Sequence, residues 1–179
     1  IIEQYQPLMK RFSEIKKPII GAINGTAAGV GAAFALVCDL RVMSKESSLL
    51  YAFVNIGLGP DGGASWLLSR QVGYSKAFEI AISGEKVQGD ECLKLGLTNR
   101  VVEKENILSD AIKWAHHLSV RPTVAIGIAK FDMIYSMDNN LNDTIAYEAE
   151  QQVAAFNSHD LKEGVTAFIE KRKPDFLGK

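Results

Sequence analysis

The sequence predicts an α/β fold on three observations. Short apolar runs bounded by Pro, Gly and Asn fill the first hundred residues and read as buried strands. Eight of the 15 glycines fall between Gly21 and Gly63, where such runs give way to helical patterns. From residue 105 onward the three-to-four spacing of amphipathic helices is almost unbroken. The composition suits this class: 179 residues with 47% hydrophobic and 23% charged side chains form a globular chain with a sizeable core.

Taken in order, Ile2, Tyr5, Leu8, Met9, Phe12 and Ile15 set a helix over 2–16, with Pro18 beyond its end. Residues 18–24, apolar and closed by Asn24-Gly25, are too short for a capped helix and read as a strand. Gly29–Cys38 is apolar all round and rich in small residues, as in a helix packed closely on every side. Asp39 then holds a turn into the strand-like LRVM. Residues 47–59 have β-character, and from Asp61 a turn leads into a helix that stops before Gly73. Helical patterns at 74–82 and 89–95 precede the strand-like NRVVE. The remaining helices are expected at 105–119, 123–136, 141–156 and 160–171.

Charge and cysteine content exclude several functions. Twenty Lys and Arg against 21 Asp and Glu give a net charge of -1, without the basic footprint of a nucleic-acid binder. Cys38 and Cys92 lack CxxC spacing, so neither a disulfide framework nor a zinc site is expected, and a reducing, cytoplasmic setting is. No apolar run reaches the roughly 18 to 20 residues of a membrane span, so no membrane partner is expected. His116 and His117 are adjacent, not four apart, and with His159 read as surface residues rather than metal ligands. The chain opens on Ile1 inside a helical pattern, as a piece of a longer protein would.

Two glycine clusters, NGTAAGVG and GLGPDGG, stand at expected helix N-termini, where unpaired backbone N–H groups favour negative charge. Tight turns and close packing are the other use of such glycines. GxxxxGK[ST] is absent, GxxxGxG is not the dinucleotide-binding GxGxxG, and no GxSxG marks a nucleophilic serine. Between Pro18 and Arg70 the carboxylates are Asp39, Glu46 and Asp61. Glu46 lies in the polar SKESS and reads as solvated. Asp61, between Pro60 and Gly62, is either a turn and helix cap or an acid/base group.

The ordered motifs KKPIIGAINGTAAGVGAAFALVCDLRV, YAFVNIGLGPDGGASWLLSRQVG, AISGEKVQGDECLKLGLTNRVV and AFIEKRKPDF together resemble the enoyl-CoA hydratase/isomerase (crotonase) superfamily over the whole chain. The resemblance implies an α/β spiral of ββα turns followed by a C-terminal helical oligomerisation region. Residues 1–104 would be the C-terminal part of the spiral core and 105–179 the trimerisation helices. It implies an acyl-CoA substrate, no cofactor, no metal, and a homotrimer or a hexamer made of two trimers. One oxyanion donor corresponds to Val30 in Gly29-Val30-Gly31, with Gly31 beside it, and the other belongs to a motif upstream of residue 1.

The positions of the two hydratase glutamates correspond to Ala33 and Phe53, neither of which moves a proton. IGLGPDGG is similar to the 1,2-epoxyphenylacetyl-CoA isomerase and enoyl-CoA isomerase branch, in which the aspartate after the proline is the acid/base. That makes Asp61 the expected catalytic residue, in a setting of phenylacetate degradation or fatty acid metabolism. Gly29, Phe53 and Trp66 would border the substrate, the two aromatic rings excluding water. Phe168 and Lys171 would approach the CoA nucleotide of a neighbouring subunit. A hydratase with other acid/base groups and a silent acyl-CoA-binding member of the fold are the alternatives.

Overall fold

The computed structural model describes residue 3 and residues 5–179. Two compact units divide the chain: Ile1–Ile15 with Ile19–Lys113, and Lys16–Pro18 with Trp114–Lys179.

The first unit begins with α1 (Tyr5–Glu14), whose expected first turn at Ile2 lies outside the described residues. Strand β1 (Ile20–Ile23) is followed by β2 (Thr26–Ala28), α2 (Val30–Val37), β3 (Leu40–Met43) and β4 (Ser48–Leu50). After a 3-10 turn at Val54–Ile56 come α3 (Ala64–Val72), α4 (Tyr74–Ser83), β5 (Lys86–Gln88), α5 (Gly89–Lys94) and β6 (Arg100–Val101). Helix α6 (Ile107–Ser119) runs across the division between the units.

The strands form two small sheets. One is parallel in the order β1-β3-β6, with Ile20 opposite Leu40 and Met43 opposite Val101. The other has the order β2-β4-β5, β2 pairing parallel and β5 antiparallel to β4. Two consecutive strands thus enter different sheets before a helix returns the chain, the ββα turn of an α/β spiral. Parallel partners need such crossovers, and α2 supplies the one between β1 and β3. Asp39 holds the return as expected, its Oδ2 accepting from the Ile19 N–H at 2.7 Å.

Two strands escape the sequence pattern. Thr26–Ala28 sits inside the first glycine cluster, and Lys86–Gln88 has only Val87 as an apolar residue. Three-residue strands carry no visible alternation and take their geometry from the β4 edge they pair with. The β-character expected over 47–59 ends at Leu50. Left-handed Gly57 (φ 74°) lets its N–H bond Val54 C=O, and the Leu58 N–H bonds Phe53 C=O, so the apolar run coils instead of extending. The second glycine cluster therefore follows a 3-10 turn, not a strand.

Leu36, Met43, Leu49, Tyr51, Leu68 and Leu97 are each 2% exposed or less and form the centre of this unit's core. Arg41 is buried with them. Its guanidinium donates to the carbonyls of Ala35, Leu36 and Cys38 at the end of α2, to Leu97 C=O and to Gln71 Oε1. Within SKESS only Lys45 and Glu46 face solvent. Ser44, Ser47 and Ser48 are buried, and Ser47 Oγ donates to Ile23 C=O at 2.6 Å.

The second unit contains the end of α6, α7 (Thr123–Ser136), α8 (Leu141–Phe156) and α9 (His159–Glu170). Asn140 and Ser158 cap α8 and α9 by accepting from Asp143 N–H and Leu161 N–H. The tail after α9 folds back along it. Asp160 accepts from the Leu177 and Gly178 N–H groups, and Glu163 accepts from Arg172 and from Asp175 N–H.

Candidate active site

Gly29 ends β2 and opens α2. Its φ of 55° favours glycine, and its N–H donates to Leu50 C=O, locking the turn onto β4. A Cβ at Gly29 would stand 3.8 Å from Phe53 Cε1, which places that ring against the turn. No side chain caps the helix, and the first backbone bond into Gly29 C=O comes from Ala32. The N–H groups of Val30 and Gly31 thus remain at the positive end of α2 without a backbone acceptor among the described residues. Both residues are half-buried.

Asp61 stands in the turn before α3. Its own C=O accepts from Ala64 N–H at 3.0 Å, which shapes the turn. The side chain does not cap the helix: the N-cap is Gly63, with no side-chain hydrogen bond. Asp61 Oδ1 is buried and has no hydrogen-bond partner. A buried carboxylate oxygen normally finds a donor, and among the described residues Asp61 Oδ1 shares the lack of one with Asp132 Oδ1. Next to Asp61, Gly62 adopts φ 61°, and a Cβ there would lie 3.1 Å from Val30 Cγ2 and 3.5 Å from Ala33 Cβ. The Asp61 turn therefore rests directly on the first turn of α2.

Tyr51 supports the same turn from below. It is 1% exposed, its hydroxyl donates to Ala64 C=O at 3.2 Å, and its ring meets Phe53 edge-on at 6.2 Å. Burial raises the Tyr51 pKa above the ordinary phenol value, so the hydroxyl keeps its proton. A cleft of about 480 Å³ opens beside the turn, lined by Tyr51, Pro60, Leu68 and Phe78 among others.

The structure thus groups Gly29, Val30, Ala33, Phe53 and the Asp61-Gly62 turn. Trp66 lies on α3, 40% exposed, with the Arg70 guanidinium 4.1 Å over its ring. Phe168 and Lys171 belong to the second unit. Phe168 is 85% exposed at the rim of an apolar cavity of about 420 Å³, and Lys171 ends α9 in the left-handed conformation. Sequence reasoning missed Tyr51, Gln71 and Arg41, which carry no motif. Their polar atoms are recognisable only once the backbone atoms they bond are placed.

His116 and His117 are exposed on α6. Among the described residues no three His, Cys, Asp or Glu side chains gather as metal ligands, and no helix is long and apolar enough to cross a membrane.

The whole chain, residues 1–179, matches the enoyl-CoA hydratase/isomerase family. Relatives agree with it. A 1,2-epoxyphenylacetyl-CoA isomerase of Escherichia coli is 36% identical over 98% of this chain and 67% of its own length. A short-chain-enoyl-CoA hydratase of Clostridium acetobutylicum is 32% identical over 93% of this chain and 64% of its own. The crystal structure of an enoyl-CoA hydratase from Polaromonas superposes with a TM-score of 0.93 at 31% identity, covering 98% of this chain and 68% of that one. The protein belongs to the enoyl-CoA hydratase/isomerase family, and its α/β core is the crotonase fold.

Proposed function

We propose that this protein acts on an acyl-CoA thioester as an enoyl-CoA isomerase, with Asp61 as its single acid/base. The observation that carries the reading is the unpartnered, buried Asp61 Oδ1 on a turn seated against the N-terminus of α2. In the proposed reaction the thioester oxygen accepts from the Val30 N–H, with Gly31 beside it, while Asp61 removes a proton from carbon. The resulting enolate is held by the helix end, and Asp61 returns the proton to a different carbon. One shuttle suffices for a double-bond shift, because base and acid act in sequence on the same substrate. Each oxyanion donor is worth about 2.7 to 4 kcal/mol in the barrier. The resemblance places the second donor upstream of residue 1, so the complete hole would combine such a segment with Val30.

Hydration needs a further group to activate water. Ala33, fully buried, and Phe53, 6% exposed, fill the positions that correspond to the hydratase glutamates and carry no titratable atom. This favours isomerisation, either of an enoyl double bond or of an epoxide-type ring, in keeping with the relative named 1,2-epoxyphenylacetyl-CoA isomerase. The CoA thioester is substrate here and not cofactor. The exposed Phe168 and Ile169 of α9 support the proposed assembly into a homotrimer or a pair of trimers, with Phe168 and Lys171 near the nucleotide end of CoA.

Asp61→Asn tests the assignment. It keeps the shape of the side chain and removes the proton shuttle. Isomerisation of a 3-enoyl-CoA is expected to fall by about 10²-fold or more, with CoA-ester affinity near that of the unmodified protein. Turnover retained at the original rate would refute the role of Asp61.

A further inference from the structure

Both halves of the site are tied to the end of β4. Leu50 C=O accepts from the Gly29 N–H at 2.9 Å, which anchors the start of α2, and from the Ala52 N–H at 2.9 Å, which closes a tight turn around Tyr51. Tyr51 is 1% exposed in that turn, so its ring has little freedom. Its hydroxyl donates to Ala64 C=O at 3.2 Å, and the Ala64 N–H donates to Asp61 C=O at 3.0 Å. Ala64 therefore joins the phenol on one side to the Asp61 turn on the other. Asp61 Oδ1 itself has no hydrogen-bond partner, so that oxygen takes its position from the backbone of the turn. Two adjacent residues, Leu50 and Tyr51, thus hold the start of α2 through the main chain and the Asp61 turn through a side chain.

We propose that Tyr51 is a positioning residue whose hydroxyl fixes the distance between Asp61 and the Val30 N–H. The inference rests on the reading of Val30 and Asp61 given above. Gly62 against Val30 and Ala33 stops the Asp61 turn from moving closer to α2, because van der Waals contact resists compression steeply and withdrawal weakly. The buried Ala64 and Leu68 keep α3 on the core to within the slack of such contacts. The Tyr51 bond is directional and weakens with distance and angle, so it removes that slack on the side of withdrawal. A misplacement of about 1 Å at reacting groups costs about 10²-fold in rate, so half of that, left by a lost hydrogen bond, costs about tenfold. Tyr51 acts through Ala64 and moves no proton itself, since burial keeps the phenol protonated.

The test compares Tyr51→Phe with the unmodified protein in steady-state isomerisation of a 3-enoyl-CoA, well below the thermal midpoint of either. The variant keeps the ring and loses only the hydroxyl. It is expected to lower kcat by about tenfold with KM little changed. A bond that served stability alone would lower the midpoint and leave kcat per folded molecule as it was. The Val30 half is read separately, from the vibrational frequency of the thioester carbonyl in bound hexanoyl-CoA labelled there with carbon-13. That frequency is expected to be the same in both proteins, because Gly29 is tied by the main chain. 4-Aminophenylalanine at position 51 puts an N–H donor where the hydroxyl stood and is expected to restore most of kcat. If Tyr51→Phe does not fold, 4-methylphenylalanine, which fills the space of the hydroxyl without a donor, gives the same reading. Folded Tyr51→Phe with an unchanged kcat, a carbonyl frequency that moves in it, or 4-aminophenylalanine behaving like Phe would each overturn the positioning role alone. Asp61→Asn turning over at the unmodified rate would overturn the reading of Asp61 and the positioning role with it.

Discussion

Gly62→Ala perturbs the contact between the two halves of the site at its tightest point. The residue adopts φ 61°, where a side chain costs about 1–2 kcal/mol relative to glycine. The added methyl would also stand 3.1 Å from Val30 Cγ2, closer than ordinary van der Waals contact, so the first turn of α2 must retreat by a few tenths of an ångström. For a chain of this length each kcal/mol lowers the thermal midpoint by about 2–4 °C, which gives a loss of roughly 2–8 °C. Because the retreat carries the Val30 N–H away from Asp61, kcat for 3-enoyl-CoA isomerisation is expected to fall about tenfold with KM little changed. The assay is a thermal melt beside steady-state kinetics on the same preparation. A variant that melts with the unmodified protein and turns over at its rate would refute the packing of the Asp61 turn on α2.

Two further outcomes follow from the same geometry. Tyr51→Phe removes the hydroxyl bond to Ala64 C=O and is expected to lower stability by about 1 kcal/mol, read as a reduced urea midpoint at unchanged slope; an unchanged midpoint would contradict the bond. In the tail, the hydrogen bonds and charge of Arg172 and the Asp175 N–H hold Glu163 down from 4.5 to about 2. Burial of Asp160 raises its pKa, but the Leu177 and Gly178 N–H bonds and His159 outweigh burial and hold the group below its ordinary value. Depressed carboxylates stabilise the fold above their ordinary pKa and lose that contribution as pH falls through the folded value. The Asp175 amide resonance should therefore titrate with a midpoint of about 2, and a midpoint at 4.5 would show that Glu163 does not hold the tail.

How far the sequence showed all this depended on length scale. The long helices were legible to within a residue or two because Ile107–Ser119, Thr123–Ser136 and Leu141–Phe156 repeat their apolar positions over several turns. The three-residue strands Thr26–Ala28 and Lys86–Gln88 were not, since pairing with β4 and not their own pattern extends them. Asp61 was identifiable as a candidate from its place between Pro60 and Gly62, while its choice between cap and acid/base was not. The structure removes the cap, since Gly63 stands there with no side-chain hydrogen bond, and the acid/base role is the proposal made above. Arg41 gave no signal at all. A charged residue inside LRVM is buried because four carbonyls and Gln71 converge on it, an arrangement drawn from segments more than 50 residues apart in the chain.

The most direct test of the central claim is the product formed from a 3-enoyl-CoA in deuterated water, followed by mass spectrometry and proton resonance. A single-aspartate isomerase is expected to give the 2-enoyl-CoA, with no water added and with deuterium confined to the carbons that exchange with Asp61. A 3-enoyl-CoA left unconverted, beside formation of a 3-hydroxyacyl-CoA when a 2-enoyl-CoA is supplied instead, would contradict it and assign the chain to hydration.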